Sequence, residues 1–364
     1  MDNNTLLAFR DYLEHQAELN GADVAAVQGG ALFSIAHESF AEGEPSVQQR
    51  LIDKQQEDSA FLSRINIVPV PEIKGEKLGL GVSGTIASRT ATTPNGNIKR
   101  KTTDISGVDV DGYECRQTDF DTHLTYPKLD MWAKFPDFET RISQQILTRK
   151  VLDQIMIGWN GASAAETTDR VANPLLQDVN IGWLQKYRLA NAAAGARQRI
   201  LSEGETEAGK IIIDPTGAGD YRNVNALVVD AIFNLMPSWA RGDGELVVIL
   251  GDQLHHDIFF PLVDNDNKPT EVNAADLILS AKRVGGKAAA TVPYFPSDAI
   301  FVTRLDNLSI YEQEGKNRRR VYDDPSFNCV RTFESTNQAY VVEDYDFGCV
   351  IENIQFGPTE DEGG

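Results

Sequence analysis

The stretch Asp137–Trp159, DFETRISQQILTRKVLDQIMIGW, decides how the rest of the chain is read. Pro136 and Asp137 mark its start, because an Asp side chain at an N-cap accepts a bond from a free backbone N–H. Ile142, Ile146, Leu152, Ile155, Met156 and Trp159 fall mostly three, four or six positions apart, so one face is apolar. Glu139, Arg141, Gln145, Arg149 and Asp153 take the other side, and Gly158 and Gly161 read as the end. At 1.5 Å per residue this helix is roughly 34 Å long, about the width of a small domain. It is either an ordinary core helix or a spine on which a flat subunit is hung.

The segment in front of it, residues 75–127, bears on that choice. Leu78, Leu80, Val82 and Ile86 alternate with small residues, and Thr118, Phe120, Thr122, Leu124 and Tyr126 alternate on the way back. Between them the chain is rich in Thr, Ser, Gly, Asn and charge, which predicts a long two-stranded arm with a polar tip. An isolated hairpin is marginal in water, so the arm lies either on its own domain or across a neighbour. Arg89, Lys99, Arg100 and Lys101 cluster at the tip. On an acidic chain they suit docking onto another copy, or simply form a solvated loop.

The 364 residues allow two or three domains, with 41% hydrophobic and 24% charged residues as in soluble globular proteins. No apolar run is long enough for a transmembrane helix, and the N-terminus lacks the basic start and apolar block of a signal peptide. Cys115, Cys329 and Cys349 are far apart and odd in number, which suits reduced thiols made in a cytoplasm. The net charge of −20 repels phosphate backbones and argues against a nucleic-acid-binding protein.

Along the chain, residues 1–20 read as a short amphipathic helix and 21–45 as a small, polar linker. That arrangement suits a partner-binding arm or a removable leader. Ser46 and Gln49 form a capping box for a helix from Val47 to about Ser63. After the long helix, Gln177–Arg199 reads as a second one, and 201–221 as an excursion around a strand at Ile211–Ile213. From Asn223 a helix, a strand at Leu246–Leu250 and helices near Asp252–Phe260 and Asn273–Arg283 make an α/β unit. Strands follow at Ala288–Pro293, Ala299–Thr303, Ser309–Tyr311, Val330–Glu334, Ala339–Glu343 and Val350–Gln355.

Motifs that resemble chemistry fail on context. Gly79, Gly81 and Gly84 match G-x-G-x-x-G, but EIKGEK precedes them and no helix follows, so they read as points where an extended arm packs closely. Asp214–Asp220 lacks the Lys-Ser/Thr of a P-loop and reads as a turn. His255 and His256 point about 100° apart on a helix, which ill suits one metal ion even with Asp252 and Asp257 nearby. No catalytic, cofactor-binding or metal-binding residue is assigned.

Five stretches together resemble the major capsid proteins of tailed bacteriophages of the peduovirus type. They are SAFLSRINIVPVPEIKGEKLGLGVSGTIAS (59–88), LDMWAKFPDFETRI (129–142), NPLLQDVNIGWLQKYR (173–188), VPYFPSDAIFVTRLDNLSIY (292–311) and YVVEDYDFGCVIENI (340–354). The resemblance implies an α+β chain with the HK97-like fold. Residues 1–45 would be a leader that meets the scaffold, 46–74 the N-arm, and 75–127 the extended hairpin, or E-loop. Residues 128–222 would be the peripheral domain with its spine helix at 137–159, and 223–291 the axial domain. Residues 292–357 would return through the peripheral sheet to the axial domain, and 358–364 would be a polar tail.

The function implied is that of a shell subunit rather than an enzyme. Hexamers and pentamers would close into an icosahedral shell around double-stranded DNA, without sequence-specific binding, a membrane or a cofactor. The partners implied are further copies, a scaffolding protein that is also a protease, and a portal, with the need for a decoration protein left open. The location implied is the virion capsid, assembled in the bacterial host cytoplasm. Two rivals remain at this stage. One is an acidic two-domain α/β enzyme, which would show a deep polar pocket. The other is a tube or sheath subunit, which would give open polymers.

Overall fold

In the computed structural model, residues 39–40, 61–76, 87, 89, 112–132, 138–193, 196–256, 258 and 283–357 are described. The expected helices at 1–20 and 273–283, the hairpin tip and the polar tail fall wholly or almost wholly outside them. In chain order the elements begin with β1 (Ser39–Phe40), β2 (Asn66–Val70), β3 (Lys74–Glu76), β4 (Gly112–Glu114), β5 (Arg116–Asp119) and β6 (Thr122–Thr125). Helices α1 (Tyr126–Trp132), α2 (Phe138–Asn160) and α3 (Trp183–Ala192) follow, then β7 (Ile200–Leu201), β8 (Ile211–Ile213) and helix α4 (Val224–Leu235). The rest is β9 (Val247–Leu250), β10 (Arg283–Val284), β11 (Lys287–Thr291), β12 (Ile300–Thr303), β13 (Leu308–Gln313), β14 (Arg318–Asp324), β15 (Cys329–Val342), β16 (Gly348–Ile351) and β17 (Ile354–Phe356).

A seven-stranded sheet is built around β15, its longest strand. Gln338 pairs with both Glu312 and Arg116, and Ser335 with both Arg318 and Asp119. A residue has two edges, so β13 and β14 lie end to end along one side of β15, with β5 and β6 along the other. Outside that, β2 runs parallel to β13, and β1 pairs with β14.

The second sheet has six strands in the order β10-β11-β9-β12-β16-β7. Its central strands VVIL and IFVT are apolar but for the buried Thr303, because both faces are covered. Ile249, Phe301 and Val350 point into one core, shared with α2, α3 and the larger sheet. Val248, Leu250, Ile300 and Val302 point into the other, beneath α4. The period-2 alternation of a strand thus feeds two cores at once. Asn223 caps α4 through its side-chain oxygen, which accepts from the Ala226 N–H at 2.8 Å.

The shared core is aromatic where the helices meet. Trp159 lies 5.0 Å from Trp183 and 5.1 Å from Phe295, ring centre to ring centre, at steep interplanar angles. Gly158 sits at this crossing inside α2, not at its end as the sequence suggests. A Cβ there would collide with the Trp183 ring, and one on Gly182 would collide with the Ile157 and Gly158 carbonyls. Glycine is therefore required for the close approach of α3 to α2.

Four further expectations are corrected. The helix over Gln177–Arg199 is only Trp183–Ala192. Its front part is a loop, where Ala162 and Ser163 N–H groups both donate to the Gln177 carbonyl and Asn180 Nδ2 donates to the Gln338 carbonyl. The strands expected at Val330–Glu334 and Ala339–Glu343 are one strand, β15. The run Val350–Gln355 is two strands, broken at Asn353 in the left-handed region with φ 60°. Finally, residues 116–125 do not run back along the arm of 75–127. They pair with β15, and α1 begins at Tyr126. Alternation fits either a hairpin arm or a half-covered sheet strand, and the large sheet takes it.

Candidate assembly surfaces

The root of the hairpin is fixed to the larger sheet. Here β3 and β4 pair from Lys74 with Glu114 to Glu76 with Gly112. Tyr113 packs edge-on against Tyr311 of β13, with ring centres 5.0 Å apart. Gly75 lies directly under the Tyr113 ring, with no room for a Cβ. Lys74 Nζ is 2.8 Å and Arg116 Nη2 3.0 Å from the Glu114 carboxylate. The Lys74 bond holds the Glu114 carboxyl below its ordinary range. Of the four cations expected at the tip, Arg89 is exposed, while Lys99, Arg100 and Lys101 lie outside the described residues.

Beneath α2 runs a buried polar seam that sequence reading missed. Lys150 Nζ lies 2.5 Å from Glu334 Oε1, and Arg319 Nη1 approaches the other oxygen at 3.9 Å. Burial pushes the Glu334 carboxyl up, but Lys150 and Arg319 outweigh it and hold the group below its ordinary range. One turn on, Glu312 accepts from Gln338 Nε2 at 2.8 Å and from Gln154 Nε2 at 3.5 Å. Burial dominates there and raises the Glu312 carboxyl, against the nearby Lys150 charge. Tyr340 completes the seam by donating to the Gln154 carbonyl. No local signal could have found it, because Lys150 and Glu334 are 184 positions apart.

A third surface is apolar and faces outward. On α4, Leu227, Val228, Ala231 and Leu235 are buried, yet Val229 and Phe233 are 53% and 63% exposed. Trp239 beside them is 45% exposed and packs on Phe347 at 5.0 Å. Arg241 lies over the Phe233 ring at 4.4 Å. The signal was available, since Val229 and Phe233 stand four apart, off the stripe that forms the core. A helix apolar on two faces expects a second partner.

Among the described residues, no group of three His, Cys, Asp or Glu side chains could hold a metal ion, and no helix is long and apolar enough to cross a membrane. The three cysteines are buried and free.

The two-sheet body, the long helix laid on the larger sheet and the rooted hairpin define a capsid subunit of the HK97-like class. Two solved structures share the fold. The chain superimposes on one from the satellite phage P4 procapsid, which includes size determination (Sid) protein, with a TM-score of 0.76 and 46% identity, covering 86% of this chain and 93% of that one. A capsid chain of the native GTA particle matches in fold alone, with a TM-score of 0.52, 14% identity and coverage of 82% and 91%. The chain belongs to the P2 family of phage major capsid proteins, whose sequence pattern it matches over residues 8–354. It is 45% identical to the capsid proteins of Escherichia phage P2 over 98% of this chain and 96% of that sequence. It is 37% identical to the major capsid protein of Serratia phage KSP20 over the full length of both. The protein is thus a structural subunit that self-assembles into the shell of a virion, and not an enzyme.

Proposed function

We propose that the subunits group as hexamers and pentamers and close an icosahedral shell around double-stranded DNA, with no sequence-specific contact to it. In this reading 46–74 is the N-arm, the hairpin reaches a neighbouring subunit, 128–222 carries the peripheral domain, and 223–291 the axial domain. A scaffolding protein that is also a protease trims the precursor within residues 1–45. A portal completes the set of partners, and assembly takes place in the bacterial host cytoplasm.

The single observation that supports this most is the clamped hairpin root. Glu76 and Gly112 are paired neighbours on the sheet, so residues 77–111 leave and return at one fixed point. A long excursion rooted at one point of the fold suits a contact between copies. Many modest contacts of this kind become cooperative under closed symmetry. Negative-stain electron microscopy of the protein, with and without its co-expressed scaffold, tests the reading. Closed shells of uniform size, containing a chain shortened at its N-terminus, are expected. Open tubes, or a monomer under every condition, would overturn it.

A further inference from the structure

The excursion between β7 and β8 forms a fixed acidic projection. One oxygen of Asp220 accepts the Glu205 and Thr206 N–H groups, each at 2.8 Å, and the other accepts the Ile212 N–H at 2.8 Å. Gly204 has no room for a Cβ beside that carboxylate. The loop held this way exposes Glu203, Glu205 and Glu207. Glu207 pairs with Lys210 at 2.8 Å, while Glu203 and Glu205 have no ion-pair partner among the described residues. A second feature lies on the larger sheet, on the face turned away from α2. Side chains alternate along β15, so with Glu334 and Gln338 in the seam beneath α2, Phe333 and Ser335 point the other way. Cross-strand partners share a face, which places Arg320 beside Phe333 and Arg318 beside Ser335. Both arginines are exposed, and Phe333 is 42% exposed. Arg319 turns to Glu334 and Arg331 to Asp324, which leaves Arg318 and Arg320 without an ion-pair partner among the described residues.

We propose that the Glu203–Glu207 loop of one copy docks on the Arg318–Arg320 face of another, in a head-to-tail contact. The proposal deepens the shell reading and takes from it only that copies are neighbours. Charge selects the occupant. The cationic tip of the arm, with Arg89 and Lys99–Lys101, has the wrong sign for this face. A guanidinium takes a carboxylate through two parallel N–H bonds, and two unpaired carboxylates are available for two unpaired arginines. Arginine beside an exposed aromatic ring is also the composition of a protein interface. The Asp220 bonds order the loop before contact, so little freedom is lost on docking. Because the two surfaces differ, each copy keeps one of them for a further neighbour, and the contact can repeat around a closed assembly.

Disulfide trapping between full-length chains tests this without requiring a shell. One chain carries Ser335→Cys, beside Arg318, and the other Ala208→Cys, exposed on the loop, so that all four charges stay. The native cysteines are buried. Oxidised as an equal mixture, the chains should give the mixed disulfide severalfold above its random share, and added salt should shrink the excess. Arg318→Glu/Arg320→Glu in the first chain should return the products to random proportions. Glu203→Arg/Glu205→Arg in the second should then restore the excess. Random proportions or no mixed product at the start, an excess indifferent to charge reversal, or a failed rescue would overturn the proposal. So would retention of short duplex DNA by the parent chain that is lost with Arg318→Glu/Arg320→Glu, since it would assign the face to phosphate. Shells without the mixed product would remove this contact and leave the shell reading standing, and the mixed product without shells would do the reverse.

Discussion

Lys150 and Glu334 meet under α2 as an enclosed ion pair, with 7% and 12% of their side chains exposed and 2.5 Å between nitrogen and oxygen. One comes from a helix and the other from β15, so the pair fixes where the helix lies on the sheet. Replacing Lys150 with Met leaves Glu334 facing only Arg319, and a buried carboxylate that loses its partner costs about 3–5 kcal/mol. The denaturation midpoint should fall accordingly. A loss below about 1 kcal/mol would mean that water reaches the seam.

The seam also fixes the sign of two pH effects. Glu334 is held below its ordinary value of 4.5 in the folded protein, so its contribution is present above that value and lost as pH falls through the lower folded one. Glu312 is raised above 4.5, so its contribution is complete below that value and lost as pH rises through the higher folded one. The loss caused by Lys150→Met should therefore be full above the ordinary carboxylate range and shrink as pH falls through the lowered Glu334 value, while Glu312 substitutions should change the profile above that range.

Glu312→Gln should be neutral or stabilising near pH 8, and should flatten the decline above the ordinary carboxylate range. The amide keeps an acceptor for Gln338 and adds a donor where the Gln154 and Gln338 side-chain oxygens have none. A loss of more than about 1 kcal/mol at pH 8 would show that the charge itself is needed.

Gly158→Ala should destabilise by about 1–3 kcal/mol, since the methyl group meets the Trp183 ring with no space to move. Near-ultraviolet circular dichroism of the tryptophans reads the same change. A wild-type spectrum and midpoint would mean that α2 and α3 separate without cost.

Replacing residues 77–111 with Asn-Gly closes the hairpin directly, because Glu76 and Gly112 already pair. The body should keep its thermal midpoint, and electron microscopy should find no closed shells. Shells like those of the parent chain would remove the arm from the assembly argument.

Phe233→Ser/Val229→Ser should leave the isolated subunit within about 0.5 kcal/mol of the parent, because both side chains are exposed. Assembly should weaken, read as a higher protein concentration needed for shells. Unaltered assembly would assign the apolar face of α4 to another partner.

Much of this was legible in the chain. The α2 helix, the apolar strands β9 and β12, and Ile211–Ile213 follow from periodicity. Where the reading failed, polar residues stood in for buried ones. The middle of β15, ESTNQ at 334–338, looks like a loop, yet Gln338 is fully buried and serves the seam beneath α2. The strand RRRVYDD at 318–324 was missed because its arginines alternate between solvent and Glu334 rather than between water and an apolar core. Of the surfaces, the root of the hairpin was not legible, because it depends on Tyr113 meeting Tyr311 across the fold.

The end-to-end placement of β13 and β14 beside the single strand β15 has a mechanical consequence. A pull along β15 loads both ladders in shear, so that many hydrogen bonds must yield together instead of one after another. The halves of the sheet share one unbroken cable, and strain entering near Cys329 reaches Val342 without crossing a joint. A container wall made of such plates would spread tension along the strand direction and give way first across it.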